Sequence, residues 1–580
     1  MNQEHLDELR HSSAHLLAAA VQQLWPEAKR TIGPAIENGF YYDFDFGEVK
    51  ISEDDLPKIE KKMKEILKGW KSFDRHELSE ADVRKEFHGN EYKLELIDEF
   101  SGEGKTLTVY QSGEFRDLCR GGHSEEPNKD LRNFKLLSLA GAYWRGDEKN
   151  KMLTRIYGTC FPTKDELQKY LTMLEEAKKR DHRKLGALLD LFTFSELVGP
   201  GLPLFTPKGN TIRRVLDDFV WKLMKPYGYE RVWIPHLAKS DLYKTSGHWD
   251  KFSDDIFHVK SQKTDTEFVL KPMNCPHHAQ IFASRARSYR DLPIRYSEVT
   301  TVYRDENTGQ LQGLSRVRSI TQDDAHIFCE IEQVRQESIN IYKIINKFYE
   351  AFDMPLRIRL SVHDPEAPEK YLGEPGLWKT AEDMLEELLK EFGQEFERGV
   401  GEAAFYGPKI DFMARDAIGR EWQLATIQLD FNQPERFGLE YAAADGGKKR
   451  PVMIHRAISG SIERFISVLI EHYAGAFPMW IAPVQVRLAT VGENFEEAAR
   501  RILAELVEAG VRAELDDSNE SVGKKIRAAA KEKIPWTIVV GEKESSGEAF
   551  TVNVFGQEED LTIPAEELVS EALAAAKMPV

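Results

Sequence analysis

The stretch Arg316-Val317-Arg318-Ser319-Ile320-Thr321-Gln322-Asp323-Asp324-Ala325-His326 organises the reading of this chain. It opens on two arginines, passes through β-branched residues and ends in polar groups that lead to a histidine. Just upstream runs Val302-Tyr303-Arg304-Asp305-Glu306, and earlier lies Lys271-Pro272-Met273-Asn274-Cys275-Pro276. Far downstream come Met453-Ile454-His455-Arg456-Ala457 and Gly460-Ser461-Ile462-Glu463-Arg464-Phe465. Together they offer one thiol, Cys275, and two imidazoles, His326 and His455. Three such ligands leave the fourth position of a tetrahedral zinc ion open, the form that a catalytic or substrate-binding zinc takes. Spacing alone leaves a second reading beside it, unlinked buried histidines.

Outward from these stretches, residues 202–478 mix helices with short alternating runs. Residues 294–301, 404–413 and 421–431 are expected as strands of an antiparallel sheet, and no β-α-β repeat is visible. Gly199-Pro200-Gly201 precedes this region, and Pro478 and Pro483 follow it. Strand–helix alternation beyond 479 predicts a small α/β domain with a mixed sheet: strands at 484–490, 511–515 and 537–540, helices at 522–533 and 565–575. On the N-terminal side, apolar spacing predicts helices over 6–24, 57–71 and 165–190. Strands are expected at 39–47, 92–97 and 106–110, with 102–106 as a hairpin turn. The chain is thus expected to be α+β in three domains, 1–185, 186–478 and 479–580.

The 580 residues are 41% hydrophobic and 30% charged, with 79 Lys+Arg against 97 Asp+Glu and a net charge of −18. An acidic balance argues against a histone-like or polybasic membrane-surface protein, although it permits a local basic groove for RNA. Four cysteines are too few for a disulfide scaffold and suit a reducing compartment. No export signal and no uninterrupted apolar run of membrane-spanning length is visible, so a cytoplasmic protein is expected.

Two motifs fail on inspection. Gly102-Glu103-Gly104-Lys105-Thr106 lacks the first glycine of a phosphate loop, since position 99 is Glu. His11 and His15 stand one helical turn apart, but Ser12 occupies the place of the metalloprotease glutamate. His11 and His15 gain weight from a second pair, Cys119 and His123, in Cys119-Arg120-Gly121-Gly122-His123. Two matched pairs suit either zinc or water-mediated hydrolysis.

His11-Ser12-Ser13-Ala14-His15 with Cys119-Arg120-Gly121-Gly122-His123 resembles the editing domain of bacterial threonyl-tRNA synthetases, which is related to that of the alanyl enzymes. Arg304-Asp305-Glu306 resembles the second class II signature motif, Gly460-Ser461-Ile462-Glu463-Arg464 the third, and Pro235 ends a first. The resemblance covers essentially the whole chain. It implies a threonine–tRNA ligase with an N-terminal editing domain, an antiparallel-sheet catalytic domain and a C-terminal anticodon-binding domain. The family's extra N-terminal β-rich domain is not seen.

The resemblance also implies roles. Cys275, His326 and His455 match the zinc ligands, whose open positions take the amino and hydroxyl groups of L-threonine. Arg304 matches the contact to the α-phosphate and carboxylate, Arg316 the distal phosphates, Arg464 the adenine and γ-phosphate, and Glu306 the adenine amino group. Gln322, Asp324, Tyr406, Lys409 and Gln428 match positions around the amino acid and the ribose. His11, His15, Lys93, Asp117, Cys119 and His123 match a pocket that hydrolyses mischarged Ser-tRNA. It holds zinc in the alanyl relatives and is metal-free in the threonyl enzymes. Asn519 and Glu544 fall in anticodon-contact regions. Zinc, ATP with Mg2+, tRNA(Thr) and a second copy of the chain are the implied cofactor, co-substrate and partners, with no membrane. Three positions depart from the family pattern. Ile320 stands where a phenylalanine stacks on adenine, His277 replaces a glycine, and Val552-Asn553-Val554-Phe555 replaces arginines.

Rival readings were a different class II synthetase, a free-standing editing hydrolase and a non-catalytic RNA-binding paralogue. The Cys275/His326/His455 trio beside the quartet speaks against the first. The length from 230 to 470 speaks against the second, and the retained Arg304 and Arg464 against the third.

Overall fold

Leu9, Leu16, Leu17, Ala20 and Val21 recur at helical spacing and are buried in α1 (Gln3–Leu24). This helix packs on an antiparallel sheet in which β1 (Gly39–Asp45) pairs with β6 (Met152–Cys160), and β6 with β5 (Phe134–Tyr143). The amphipathic α2 (Leu56–Leu67) completes that core with Ile59 and Met63. A smaller sheet of β2 (Asp74–Glu77), β3 (Thr108–Ser112) and β4 (Phe115–Leu118) carries Asp117 and leads directly into Cys119. The structure, a computed structural model, describes residues 3–147 and 149–580. It divides into two compact units, Met1–Glu175 and Glu176–Val580.

Three expectations for the first unit need correction. Residues 92–97 are helical, part of α3 (Glu91–Gly102). Tyr92, Lys93, Leu96 and Ile97 are its buried residues, a helical face that reads as a strand when only the β-compatible types are counted. Asn90 caps the helix through its side chain, which accepts the Lys93 N–H at 3.2 Å. The segment 102–106 is the end of this helix and a turn into β3, not a hairpin. The charged helix expected over 165–190 breaks at Asp181 into α4 (Lys164–Arg180) and α5 (His182–Leu188), because the Asp181 carboxylate caps the second piece at the Arg183 N–H.

The second unit is built on an eight-stranded sheet. Its order is Glu230–Arg231, β7 (Ile294–Tyr303), β8 (Ser319–Cys329), β13 (Val452–Ser461), β12 (Glu421–Asp430), β11 (Lys409–Arg415), β9 (Leu356–Val362), β10 (Phe396–Val400). The inner pairs are antiparallel and the two outermost pairs parallel. One face is covered by α6 (Pro207–Met224), α8 (Val334–Glu350), α9 (Pro375–Glu391) and α10 (Ile462–His472), whose apolar sides share one core with the sheet. α7 (Cys275–Ala283) packs in a separate cluster with Tyr296, Phe328 and Met453. The strand expected over 404–413 begins only at Lys409. Residues 404–407 form a tight bridge instead, with Gly407 so close to the chain that a Cβ there would lie 1.8 Å from the Leu429 carbonyl oxygen.

The C-terminal part has a mixed five-stranded sheet ordered β15 (Ala513–Asp516), β14 (Val486–Thr490), β16 (Trp536–Val540), β17 (Phe550–Val554), β18 (Leu561–Ile563). The first three strands are parallel, the last two antiparallel. α11 (Glu496–Glu508), α12 (Val522–Lys531) and α13 (Leu568–Ala575) flank it.

Candidate active sites

In the second unit, register brings the polar groups into one row. Tyr296 on β7 faces His326 on β8, His326 faces His455 on β13, His455 faces Gln428 on β12, and Gln428 faces Lys409 on β11. Side chains two apart on a strand share a face, so Gln322 and Asp324 join His326. Cys275 enters as the first residue of α7, and the donor atoms of Cys275, His326 and His455 lie within 4.8 Å of one another, all buried.

This geometry fits zinc. A tetrahedral ion with Zn–N near 2.0 Å and Zn–S near 2.3 Å needs ligand atoms about 3.3–3.6 Å apart. The supporting groups fit too. His455 Nε2 lies 2.9 Å from Asp430 Oδ2, which leaves Nδ1 for the ion. Asp430 is itself held by the N–H groups of Asn432 and Gln433 and by the Gln433 amide. His326 Nδ1 lies 2.8 Å from His278 Nδ1, which leaves Nε2. Burial first, then Asp324, pushes the Cys275 thiol well up, so only a cation would make it a thiolate at neutral pH.

Around the trio, Asn274 donates to Asp324 at 3.0 Å, and the Tyr406 hydroxyl to Gln428 at 2.6 Å. The Tyr406 ring stacks on His455 at 4.9 Å. Lys409 pairs with the buried Asp411 at 2.7 Å. Arg304 and Arg464 are guanidinium groups pulled down mainly by burial, and each has a buried Nε without a hydrogen-bond partner. Such cations call for an anion. Arg316 is paired with Glu306 at 2.7 Å, and Arg318 donates to the Glu306 carbonyl at 2.8 Å. Ile320 faces Val302 across β7 and β8.

Sequence reasoning missed His248, whose Nε2 is 3.8 Å from Cys275 Sγ and whose Nδ1 is 2.8 Å from Ser246 Oγ. It also missed His278 and Asp430. His277, singled out as a neighbour of the trio, packs against the Tyr243 ring, and the next residue is the one that touches His326. The available signals were the short spacing of His278 from Cys275 on one helix and the run Asp430-Phe431-Asn432-Gln433, whose side chains lock back on Asp430.

In the first unit, α1 places His11 and His15 against the loop after β4. His15 Nε2 lies 3.3 Å from His11 Nε2, and Cys119 Sγ lies 3.4 Å from His11 Nε2 and 3.3 Å from His123 Nε2. His11 Nδ1 donates to the Gly122 carbonyl at 3.2 Å. Gly121 and Gly122 have φ of +106° and +77°, which lets the loop fold His123 back under Cys119. Burial pulls all three histidines down, His123 to about 3. Beside them Asp117, buried, accepts from Lys93 at 2.7 Å, Arg30 at 3.3 Å and the Tyr42 hydroxyl. Burial raises the Asp117 carboxyl, but Lys93, Arg30 and His15 outweigh it and hold it well below the carboxylate range. A cavity of about 320 Å3 opens here, lined by His11, Thr31, Tyr42, Lys93, Asp117 and Arg120 among others. Arg30 and Tyr42 carried no sequence signal of their own. All six expected residues of this pocket are thus brought together.

Asn519 and Glu544 lie in the segments that follow β15 and β16. These strands run parallel on either side of β14, so both segments leave the same end of the strands. Asn519 is exposed, and Glu544 accepts the Gly541 N–H at 3.0 Å.

Residues 257–473 match the family model for the tRNA synthetase class II core domain (G, H, P, S and T), 485–574 that for the anticodon binding domain, and 107–157 that for the threonyl and alanyl tRNA synthetase second additional domain. The chain is 51% identical over 553 residues to the threonine–tRNA ligase of Rubrobacter xylanophilus, covering 95% of this chain and 85% of that protein. The chain belongs to the threonine–tRNA ligase family. The ligase of Gloeobacter violaceus is 47% identical over 578 residues, covering 98% of this chain and 92% of that one. Among solved structures, the RNA binding domain of threonyl-tRNA synthetase from Cryptosporidium parvum is 35% identical with a TM-score of 0.66, covering 69% of this chain and 99% of that chain. ThrRS-1 from Aeropyrum pernix is 30% identical with a TM-score of 0.61, covering 69% of this chain and 96% of that chain. Among the described residues, no helix is long and apolar enough to cross a membrane.

Proposed function

We propose that this threonine–tRNA ligase joins threonine to tRNA(Thr) at the Cys275/His326/His455 site and clears Ser-tRNA(Thr) at the quartet in its first unit. The carrying observation is a metal-ready trio with Arg304 near Cys275, and Arg304 and Arg464 as half-buried cations whose buried Nε has no partner. When bound, zinc would supply coordination for the amino and hydroxyl groups of threonine, a pair that valine lacks. Arg304 would steady the carboxylate and the α-phosphate as one attacks the other, and Arg464 the γ-phosphate, where negative charge must be held. Glu306 would face the adenine amino group and Arg316 the distal phosphates of ATP–Mg2+, which requires their 2.7 Å pair to part. Gln322, Asp324, Tyr406, Lys409 and Gln428 would orient the amino acid and the ribose. Domains of 1–185, 186–478 and 479–580 serve these steps, with Asn519 and Glu544 at the anticodon end and α6 in a homodimer contact.

Serine carries both groups of threonine, so a second site must remove it. His11, His15 and His123, neutral at pH 7, would hold water and return a proton to the ribose oxygen, and Lys93 would stabilise the developing oxyanion. A second reading has an ion in this quartet, because its four donors also lie within 4.8 Å of one another. Charging assays with threonine, serine and valine, alongside zinc analysis, test the whole scheme. About one zinc per chain supports the metal-free quartet, and two support the second reading. Undiminished threonine activation by Cys275→Ala would overturn the trio's role. Sedimentation of the active protein as a monomer would overturn the homodimer.

A further inference from the structure

His182 opens α5, the first helix after the segment that joins the two units, and it is buried in the second unit. Both ring nitrogens are engaged. Nδ1 lies 2.6 Å from Glu471 Oε1 on α10, and the same oxygen accepts the His182 backbone N–H at 3.1 Å. Nε2 lies 3.1 Å from the backbone nitrogen of Leu314. A peptide N–H only donates, so Nε2 must be the bare acceptor and Nδ1 must carry the proton given to Glu471. The ring is therefore neutral and locked in one tautomer. Arg420 holds the other oxygen of Glu471 at 2.6 Å, which fixes the carboxylate from behind. With no free nitrogen on the ring, Asp181, His182 and Glu471 form a filled hydrogen-bond set and not an ion site.

Leu314 lies in the loop that joins β7 to β8, two residues before Arg316 and ten after Arg304. The contact is tight. Gly313 has φ of +52°, and a Cβ there would lie 2.3 Å from His182 Nε2. Ser315 Oγ meets Ser467 Oγ of α10 at 3.0 Å, and the Arg318 N–H donates to the Gly201 carbonyl at 2.8 Å. The tip of the loop is thus moored to α5 and α10, while at its returning limb the Arg316 backbone bridges to Gln312 and its side chain pairs with Glu306 and Gln310.

We infer that His182 is a positioning residue for ATP: its Nε2 holds the Leu314 N–H and so sets the height at which Arg316 meets the distal phosphates. The inference rests on the proposed roles of Arg304 and Arg316 and adds to them a residue that touches no substrate. It predicts an effect on one substrate and not on the other, since the trio that would hold threonine lies on β8, β13 and α7, away from this mooring.

The test is ATP–pyrophosphate exchange by the full-length chain with His182→Asn, His182→Gln and Gly313→Ala. Glutamine extends its amide to the position of Nε2 and can still accept from Leu314, whereas asparagine reaches only Glu471. His182→Asn is expected to raise the KM for ATP about tenfold, the size of one lost buried hydrogen bond, and to leave the KM for threonine within about twofold. His182→Gln should restore most of the loss. Gly313→Ala, which keeps the imidazole but forces the loop and the ring apart, should reproduce the ATP defect. Ser-tRNA hydrolysis at the parent rate reports that the first unit is folded, and the unchanged KM for threonine reports the same of the second. An unchanged KM for ATP in His182→Asn and Gly313→Ala overturns the inference, as does an equal rise for both substrates with no rescue by glutamine. Arg304→Ala runs in parallel. If it keeps normal exchange, the ATP-site reading itself fails; if it loses exchange while His182→Asn is silent, only the positioning role fails.

Discussion

Asp117→Asn removes the charge at the centre of the first unit's pocket while keeping its shape. Lys93, buried, would lose the carboxylate 2.7 Å away and keep the Tyr42 hydroxyl at 3.3 Å. At that separation and an effective dielectric near 20, the gross Coulomb attraction is ~6 kcal/mol. Desolvation offsets part of it, and breaking a buried pair from one side costs ~3–5 kcal/mol. Burial already lowers the Lys93 ammonium against the pull of Asp117, so the variant should lower it further. Adding Lys93→Met removes the stranded group and should recover ~2 kcal/mol, with Arg30 still unpaired on one side. Hydrogen exchange of α1 and β4 amides against denaturant reads the stability of this unit by itself. Asp117 is held below the carboxylate range, so its contribution is fully present above about pH 4 and is lost as pH falls through the depressed value. The variant should therefore lose this acid limb. Ser-tRNA hydrolysis should fall in both variants. A cost under ~1 kcal/mol for Asp117→Asn, or strict additivity in the double variant, would refute the claim that one buried ion pair organises the pocket.

Three further outcomes are expected. Since burial and then His11 hold His123 at about 3, Ser-tRNA hydrolysis should show no break near pH 6.5; a bell with that limb in a pH–rate profile contradicts neutral, buried histidines. Asp430→Asn, which removes the carboxylate 2.9 Å from His455 Nε2, should weaken zinc retention about 10–100-fold in competition with a chelator, with the fold intact by circular dichroism. Glu532 is raised by burial but pulled down to about 2 by Arg487 and Lys208. Its stabilising effect is thus present above about pH 4.5 and lost toward pH 2. Because Glu532 is partly exposed, Glu532→Gln should cost ~1 kcal/mol or less at pH 7 in urea titrations, with most of that cost gone by pH 2.

Much of the chemistry was legible because it sits in short runs whose side chains act at once. Arg304, His326 and His455 could be singled out from their motifs, while the structure adds that His326 lies on β8, His455 on β13 and Arg304 just beyond the end of β7. α3 was misread because Tyr92, Leu94, Leu96 and Ile97 fit a strand by residue type, and the face formed by 92, 93, 96 and 97 with the capping role of Asn90 separates the two readings. His278 and Asp430 carried weak local signals, whereas supporting groups such as His248, Arg30 and Tyr42 were not legible. Their meaning depends on what the fold brings beside them, and nothing local in the sequence distinguishes them from ordinary polar residues. His182 belongs with them: its partners are Leu314 and Glu471, 132 and 289 residues away.

The row from Tyr296 through His326, His455 and Gln428 to Lys409 crosses five strands at one level, and neighbouring strands in a sheet stand about 4.8 Å apart. The row is therefore a ruler whose graduations are set by backbone hydrogen bonds and not by side-chain choice. A ligand laid along it meets a new functional group at each graduation, and its length in strands, not the size of a cavity, determines which groups it can engage together. Substitution can change what stands at a mark, but only a slip of one residue in register can move the marks. Such a slip would turn every group in that strand to the opposite face of the sheet.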